Sequence, residues 1–202
     1  MYRIAFAAVL AFFAQAASAT TYTLEPNYTQ GVLRWDHLGF SYPAAQFAQG
    51  TGTIEFDEKD PTMSSITVTI PLGSLNTGVP ELDERLKSED FFEVKKYPTA
   101  TFVSTRVEKG AGMNRFKVTG DLTIRKITRP VMLDVTLLKT GKNVRTEVAT
   151  IGFDAKGMLK RSDFGLGAYV PQVSDEIQLL VTTQAGESKA QAAFLEAKKA
   201  GK

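Results

Sequence analysis

The sequence predicts an all-β fold, either a sandwich or a barrel of eight or nine antiparallel strands, followed by a short tail. Two observations support this prediction. Apolar residues alternate with polar ones along many short segments, which is typical of strands with one buried face. Clusters of turn-forming residues separate these segments. The chain has 202 residues, of which 43% are hydrophobic, and this size suits one domain with its own core.

The alternation identifies individual strands. It is clearest in four segments: 66–72, 116–124, 131–137 and 177–181. Five further segments show it more weakly: 22–24, 31–38, 47–56, 99–107 and 144–155. Residues that favour turns cluster at three places: 57–61, 109–112 and 140–143. Several short strands with turns between them are expected of an antiparallel sandwich or barrel.

Two segments lack the alternation. Residues 80–92 are charged and aromatic, and we interpret them as one or two helical turns between strands, anchored to the body by Phe91 and Phe92. The tail, residues 188–202, is rich in Ala and Lys, and its apolar residues fall at helical spacing. Because so short a helix is marginally stable alone, the tail is predicted to be either a short helix or a solvated extension.

The N-terminus predicts a secretory signal peptide over residues 1–19. Arg3 precedes an apolar run, and a small-x-small pattern ends at Ala19, as signal peptidase requires. The apolar run is shorter than the roughly 20 residues that a membrane-spanning helix needs. We therefore expect a periplasmic mature chain without stable membrane insertion, composed of a barrel domain over 20–187 and the tail over 188–202.

The composition excludes several classes of site. The chain has no cysteine and one histidine, so disulfides, cysteine nucleophiles and Cys/His zinc sites are excluded. The net charge of +2 lacks the basic excess typical of nucleic-acid binding. His37 is the one candidate for a histidine base, but a single histidine makes a poor metal site, and a packed or hydrogen-bonded structural histidine is favoured. We predict no catalytic residue, no metal and no cofactor.

Seven short motifs follow one another between Tyr22 and Glu187. They are His37-Leu38-Gly39, GTIEFD at 52–57, SLNTG at 74–78, LKSEDFF at 86–92, KYPTATF at 96–102, GDLTI at 120–124 and RSDFG at 161–165. Each motif alone has little specificity. Together and in this order they resemble the YceI-like family of secreted bacterial lipid-binding proteins.

The resemblance implies an eight-stranded antiparallel, lipocalin-like barrel that performs no catalysis. Its elongated apolar cavity would hold a polyisoprenoid lipid, such as an isoprenoid quinone or a prenyl pyrophosphate. Periodicity alone cannot show this, because a small barrel can either fill its interior or hold one ligand. On this basis the following residues are expected to line the cavity, with the phenylalanines at 91, 153 and 164 at its rim or closed end: Leu33, Trp35, Phe91, Phe102, Phe116, Val118, Leu122, Leu133, Val135, Phe153 and Phe164.

This sequence departs from the family pattern in three places. Residues 27–29 lack the His that the family often has there, and Arg85 replaces a second His. The turn after Ile124, usually Gly-containing, carries three basic residues: Arg125, Lys126 and Arg129. These charges would meet a pyrophosphate if they rim the opening, and otherwise form a solvated hairpin end.

Two other functions stay open at this point. One is an interaction or stress-related protein with a filled barrel, which would contact a partner through its loops or its tail; a packed interior would favour it. The other is an isomerase or cyclase, which would need an ionisable group facing the interior, with His37 the first candidate. The sequence also leaves open whether the chain forms a homodimer.

Overall fold

A computed structural model describes residues 19–200 as one closed antiparallel sheet with two α-helices. The predicted signal peptide, apart from Ala19, lies outside the described residues. The strands are β1 (Thr20–Leu24), β2 (Gln30–Arg34), β3 (Ala44–Phe47), β4 (Thr51–Phe56), β5 (Ser65–Pro71), β6 (Thr99–Lys109), β7 (Arg115–Ile124), β8 (Ile127–Lys142), β9 (Ala149–Lys160) and β10 (Glu176–Glu187). The helices are α1 (Pro80–Lys87) and α2 (Ser188–Ala200).

The sheet closes because β10 is paired along both of its edges. One edge pairs with β9, and the other pairs first with β2 and then with β1. β1 and β2 therefore lie end to end and together take the place of one barrel strand. In the neighbouring place, β4 pairs with β1 and β3 pairs with β2. The ten segments described between residues 19 and 200 thus occupy eight positions. The predicted eight-stranded, lipocalin-like antiparallel barrel is confirmed.

Two predicted strands are shorter than the sequence pattern indicated. The strand predicted over 31–38 ends at Arg34, because side chains then bind the backbone locally: the Ser174 hydroxyl accepts from the Asp36 amide at 3.0 Å, and the Asp36 carboxylate accepts from the Gly39 amide at 2.7 Å. Such bonds compete with a strand ladder. The strand predicted over 47–56 is split into β3 and β4, and Gln49, with φ of 63°, lies in the break.

The turn predicted at 140–143 is wrong. β8 runs on to Lys142, and the connection to β9 covers 143–148, so the strand predicted over 144–155 begins only at Ala149 and continues to Lys160. A β-bulge between Leu137 and Lys139 shifts the register by one residue, and Thr140 and Gly141 then pair with Ile151 and Thr150 of β9. Residues 138–142 are all exposed, whereas Ile151 of β9, which pairs with Thr140, is completely buried. The polar residues at this end of β8 therefore reflect the exposure of one strand, and their composition resembles that of a turn.

Both predicted helical segments are helices. α1 lies within the linker, and Phe92 just after it is buried as expected, with its ring packed edge-on against that of Phe47 at 5.5 Å between centroids. The tail forms α2, and the Glu187 carboxylate accepts bonds from the amides of Lys189 and Ala190 in its first turn. These bonds satisfy amides that a helix start leaves unpaired. The solvated extension is therefore wrong, although most side chains of α2 are exposed.

The described chain has two buried apolar clusters inside the barrel. The larger one lies towards the end that carries α1 and includes Phe102, Leu122 and Phe164. The smaller one lies towards the opposite end and centres on Ile151 and Ala185, which are completely buried. Since the two clusters lie towards opposite ends, the space along the barrel axis between them is available for a cavity.

Gly120 determines how closely β6 and β7 approach inside the barrel. It lies on the inward face of β7 between Val118 and Leu122. A Cβ atom at this position would lie 2.4 Å from Cζ of Phe102 and 2.6 Å from the carbonyl oxygen of Val103. Glycine is therefore required for the Phe102 ring to lie across β7.

We expect Gly120→Ala to lower the free energy of unfolding by about 1–3 kcal/mol, because overpacking of this size forces backbone or rotamer shifts. Chemical denaturation followed by circular dichroism measures this change. Gly152→Ala, in β9, is the matched control, since a Cβ atom at Gly152 would meet nothing closer than 3.9 Å. Equal stability of the two variants would contradict the steric role of Gly120.

Candidate functional site

The barrel interior contains a cavity of about 710 Å³. This volume lies within the range of about 300–1,000 Å³ that is typical of small-molecule sites. Residues from nine of the ten described strands line it, together with α1 and the loop 161–175. The interior is hollow, which disfavours the filled-barrel alternative.

All eleven residues that the sequence identified as cavity-lining do line the cavity. They are Leu33, Trp35, Phe91, Phe102, Phe116, Val118, Leu122, Leu133, Val135, Phe153 and Phe164. Phe164 is 1% exposed and belongs to the α1 end. Phe153 instead packs with the cluster at the opposite end. Contact of these residues with a ligand stays a prediction.

Further lining residues were not identified from the sequence. Phe47, Phe56 and Leu179 lie on strands that were predicted, so their alternation could have identified them. Phe92 and Leu166 lie in loop segments without alternation. No periodic signal exists for loop residues, and only the folded arrangement shows that they cover part of one end of the cavity.

The buried polar side chains in the cavity wall are paired with one another or with the backbone. Thr29 and Thr183 are both buried, and their hydroxyl oxygens lie 2.7 Å apart in a hydrogen bond. Every buried side-chain nitrogen and oxygen in the described part of the chain has a hydrogen-bond partner. The wall therefore offers a ligand apolar contacts and few free polar groups, and burial of a polar ligand there would cost its hydrogen bonds to water.

Arg161 organises the loop that closes the barrel next to β10. Although charged, it is only 7% exposed, and burial lowers the pKa of its guanidinium. The guanidinium donates hydrogen bonds to four carbonyl oxygens of this loop: Ser174 at 2.8 Å, Ala168 at 2.8 Å, Val173 at 2.9 Å, and Leu166. One side chain thus satisfies backbone groups that the irregular loop cannot pair by itself.

Asp175 fixes the two ends of the same loop together. Its carboxylate accepts bonds from the Ser162 amide at 2.8 Å and the Ser162 hydroxyl at 2.7 Å. Burial would raise the pKa of this carboxyl, but the bonds from Ser162 and the nearby charges of Arg161 and Lys160 outweigh it, so the pKa lies below its ordinary value. The loop is therefore held in one conformation at the mouth of the cavity.

The α1 segment, which comprises α1 and the residues up to 93, covers part of the same end of the barrel. Leu82 and Leu86 on α1 line the cavity. The Asp83 carboxylate accepts from the Thr77 hydroxyl at 2.6 Å and its amide at 2.7 Å, and the pKa of Asp83 is lowered chiefly by the hydroxyl bond. These contacts fix the start of α1 against the chain that precedes it.

Arg125 fastens the α1 segment to the β7–β8 hairpin. Its guanidinium donates to the Phe91 carbonyl at 2.7 Å and pairs with the Glu93 carboxylate at 3.2 Å. Arg125 and Lys126 both have positive φ, 51° and 63°, as a two-residue hairpin turn of this type requires. The solvated hairpin end is therefore wrong for Arg125, although the side chains of Lys126 and Arg129 are exposed.

The cavity opens at the end that carries α1. Seven of its lining residues are exposed, and five of them lie at this end: His37, Leu38, Arg85, Tyr169 and Gln172. The other two are Gln30, at the start of β2, and Ser65, at the start of β5 and thus at the opposite end of the barrel. We call the opening between these five residues the mouth.

Aromatic and charged groups meet on one side of the mouth. The Arg85 guanidinium lies 4.9 Å from the centroid of the Tyr169 ring, and the Phe91 ring stacks on the same tyrosine at 6.4 Å. These contacts join α1 to the loop 161–175. A packed side chain of His37, one form of the predicted structural role, is wrong, because the side chain is exposed at the mouth. The residue is hydrogen-bonded through its backbone, in bridges to Ser41 and Val173.

Groups that would support metal chemistry are not assembled here. Between residues 19 and 200, no three His, Cys, Asp or Glu side chains come close enough to hold a metal ion. The same stretch of chain contains no helix of sufficient length and apolarity to cross a bilayer.

We expect Arg161→Met to lower the free energy of unfolding by about 3 kcal/mol or more, because several buried carbonyl groups lose their donor. Arg161→Lys should lie between this variant and the parent, since it keeps the charge but fewer donors. Arg129→Met, on an exposed arginine, should change stability by no more than about 0.5 kcal/mol. Urea unfolding measures all three, and a neutral Arg161→Met would contradict the organising role of this side chain.

Comparison with known proteins agrees with this architecture. The model of the YceI-like domain family matches residues 22–185. The UPF0312 protein plu2095 of Photorhabdus laumondii is 37% identical over 156 residues, which cover 77% of this chain and 80% of that protein. Protein YceI of Shigella flexneri is 34% identical over 184 residues, which cover 90% and 95%.

Solved structures have the same fold. BcnA of Burkholderia cenocepacia superposes with a TM-score of 0.69 at 27% identity, over 78% of this chain and 96% of that one. The YCEI protein of Campylobacter jejuni has a TM-score of 0.67 at 32% identity, over 75% and 89%. A polyisoprenoid binding domain from Saccharophagus degradans has a TM-score of 0.62 over 83% and 99%, and at 16% identity it supports the fold alone. This chain belongs to the YceI-like domain family.

Proposed function

We propose that this chain binds a polyisoprenoid lipid in the barrel cavity, and that it sequesters or carries the lipid in the periplasm. The observation that carries the proposal is the cavity of about 710 Å³ with an almost entirely apolar wall. Such a wall favours a long hydrocarbon chain over a polar ligand, because the chain has no hydrogen bonds to lose on leaving water.

The energetics are sufficient for a prenyl chain. Burial of each CH₂-sized group contributes about 0.8 kcal/mol, so twenty carbons give a gross gain of about 16 kcal/mol. The loss of translational and rotational freedom costs an estimated 4–15 kcal/mol, and the ordering of a flexible chain adds to this cost. Because the gain from burial grows with chain length while the loss of translational and rotational freedom does not, a long prenyl chain is retained better than a short one.

The length of the barrel limits how long an extended lipid chain can be inside the cavity. Lining residues on β7 run from Phe116 to Ile124, about 27 Å along a strand and roughly 20 Å along the barrel axis at the usual tilt. An extended carbon chain advances about 1.2 Å per bond, so about four isoprene units fit end to end. Longer tails would fold back inside the barrel or extend through the mouth.

Family relationship supports the same ligand class. The chain belongs to the YceI-like domain family, and a structure with the same fold is described as a polyisoprenoid binding domain. The predicted signal peptide over residues 1–19 supports a periplasmic location.

The proposal includes no catalysis. Among the described residues that line the cavity, the ionisable ones are His37, Arg85, Arg161 and Tyr169. The Arg161 guanidinium is engaged by backbone carbonyls, and His37 lies at the exposed mouth. An isomerase or cyclase would need an acid or base facing the deep interior, and none of these four groups is a free acid or base there.

Native mass spectrometry of the protein purified from its own periplasm tests the proposal directly. We expect a discrete added mass that organic extraction recovers as a prenyl lipid. A bare protein that also fails to bind added ubiquinone and geranylgeranyl pyrophosphate would contradict the proposal.

We expect Leu133→Trp to weaken binding of geranylgeraniol at least tenfold, because Leu133 is 9% exposed and lines the cavity, so the larger ring occupies space that the ligand needs. Fluorescence competition measures the affinity. Met132→Trp is the matched control, since the neighbouring Met132 is 52% exposed and faces outward. Unchanged binding in a well-folded Leu133→Trp protein would exclude this cavity as the site.

A further inference from the structure

Large apolar side chains surround the mouth instead of being buried. On the mouth hairpin, residues 35–43 between β2 and β3, Phe40 is 90% exposed, Tyr42 is 61% exposed and Leu38 is 50% exposed. On the loop 161–175, Tyr169 is 53% exposed and Val170 is 37% exposed. We call these five residues the rim. Exposed apolar residues that cluster in this way usually mark an interaction site.

The mouth hairpin holds its apolar residues outward in a defined and unfavourable conformation. Leu38 and Gly39 have φ of 61° and 74°, and the Phe40 amide donates to the His37 carbonyl at 3.1 Å. The first of these positions favours Asn, Asp or Gly, because a Cβ atom disfavours left-handed backbone. Strain of this kind concentrates at functional sites.

Two hydrogen bonds keep the hairpin in this conformation. The Leu38 amide donates to the Gln172 carbonyl at 3.2 Å, which ties the hairpin to the loop 161–175. The Asp36 carboxylate accepts from the Gly39 amide at 2.7 Å. The rim is therefore presented on two loops that are bonded to each other.

The rim is continuous with the cavity. Leu38 and Tyr169 belong to both, since they line the cavity and are half exposed. The apolar lining of the cavity thus extends to the protein surface through Leu38 and Tyr169, next to the other rim residues on the same two loops. A lipid that left a membrane at any other place on the protein would have to cross water.

We propose that the rim docks on a phospholipid bilayer, so that a lipid passes between bilayer and cavity without contact with water. The inference rests on the proposed function. A bilayer suits the rim because it both receives the apolar side chains and supplies the ligand, whereas a protein partner would seal the mouth.

The charges around the mouth do not favour electrostatic docking. The loops at this end, residues 35–43, 72–98, 125–126 and 161–175, carry nine carboxylates and seven Lys or Arg side chains. This slightly acidic balance gives no attraction to anionic lipids. Docking therefore depends on insertion of apolar side chains, requires no anionic lipid and changes little with salt.

Sedimentation with phosphatidylcholine vesicles at physiological salt tests the inference. We expect the protein to bind these vesicles. Phe40→Ser should weaken vesicle binding roughly tenfold to hundredfold, because the bilayer then no longer buries one aromatic side chain. Met113→Ser is the matched control: Met113 is 89% exposed, but it lies in the β6–β7 turn at the opposite end of the barrel, and this variant should bind like the parent.

Geranylgeraniol binding in the absence of vesicles separates this inference from the proposed function. Phe40→Ser should keep it, since Phe40 lies outside the cavity. A parent protein that binds geranylgeraniol but no vesicles overturns the docking inference and leaves the proposed function intact. Equal loss of vesicle binding in Phe40→Ser and Met113→Ser also overturns it. Vesicle binding without geranylgeraniol binding would contradict the proposed function instead.

Discussion

The double pairing of β10 is the constraint on which the rest of the structure depends. A strand that bonds along both edges leaves no free edge, and a closed antiparallel sheet satisfies its backbone without the help of a packed interior. The sheet therefore stays intact around a cavity, provided that its two ends are stabilised. Here the two apolar clusters, together with the loop around Arg161 and the α1 segment, provide that stabilisation.

Much of the barrel can be predicted from the sequence because the information that specifies it is local. Alternation along a strand indicates which side chains face inward, so the sequence alone identifies residues such as Val118 and Leu122 as part of the interior. Alternation cannot distinguish a hollow barrel from a filled one, since both need the same inward apolar residues. Only the resemblance to a family leads to the expectation of a cavity.

The mouth could not be predicted, because its contacts join residues far apart in the chain. Arg161 satisfies carbonyl groups up to thirteen residues away, and Arg125 binds a linker more than thirty residues before it. Neither arginine shows its role by spacing. The wrong predictions for His37 and for the turn at 140–143 have the same cause. The sequence pattern shows which residues are polar, but not whether solvent or protein surrounds them.

The hollow interior has a thermodynamic consequence for the folded state. A ligand that binds only the folded chain stabilises it by RT ln(1 + [L]/Kd), which is about 2.7 kcal/mol when the free ligand concentration is one hundred times Kd. For the lipid proposed above, resistance to heat and to proteases would then rise with the amount of lipid available. The empty barrel would be the least stable form of the protein, and the amount of folded protein would be linked to the lipid supply by mass action.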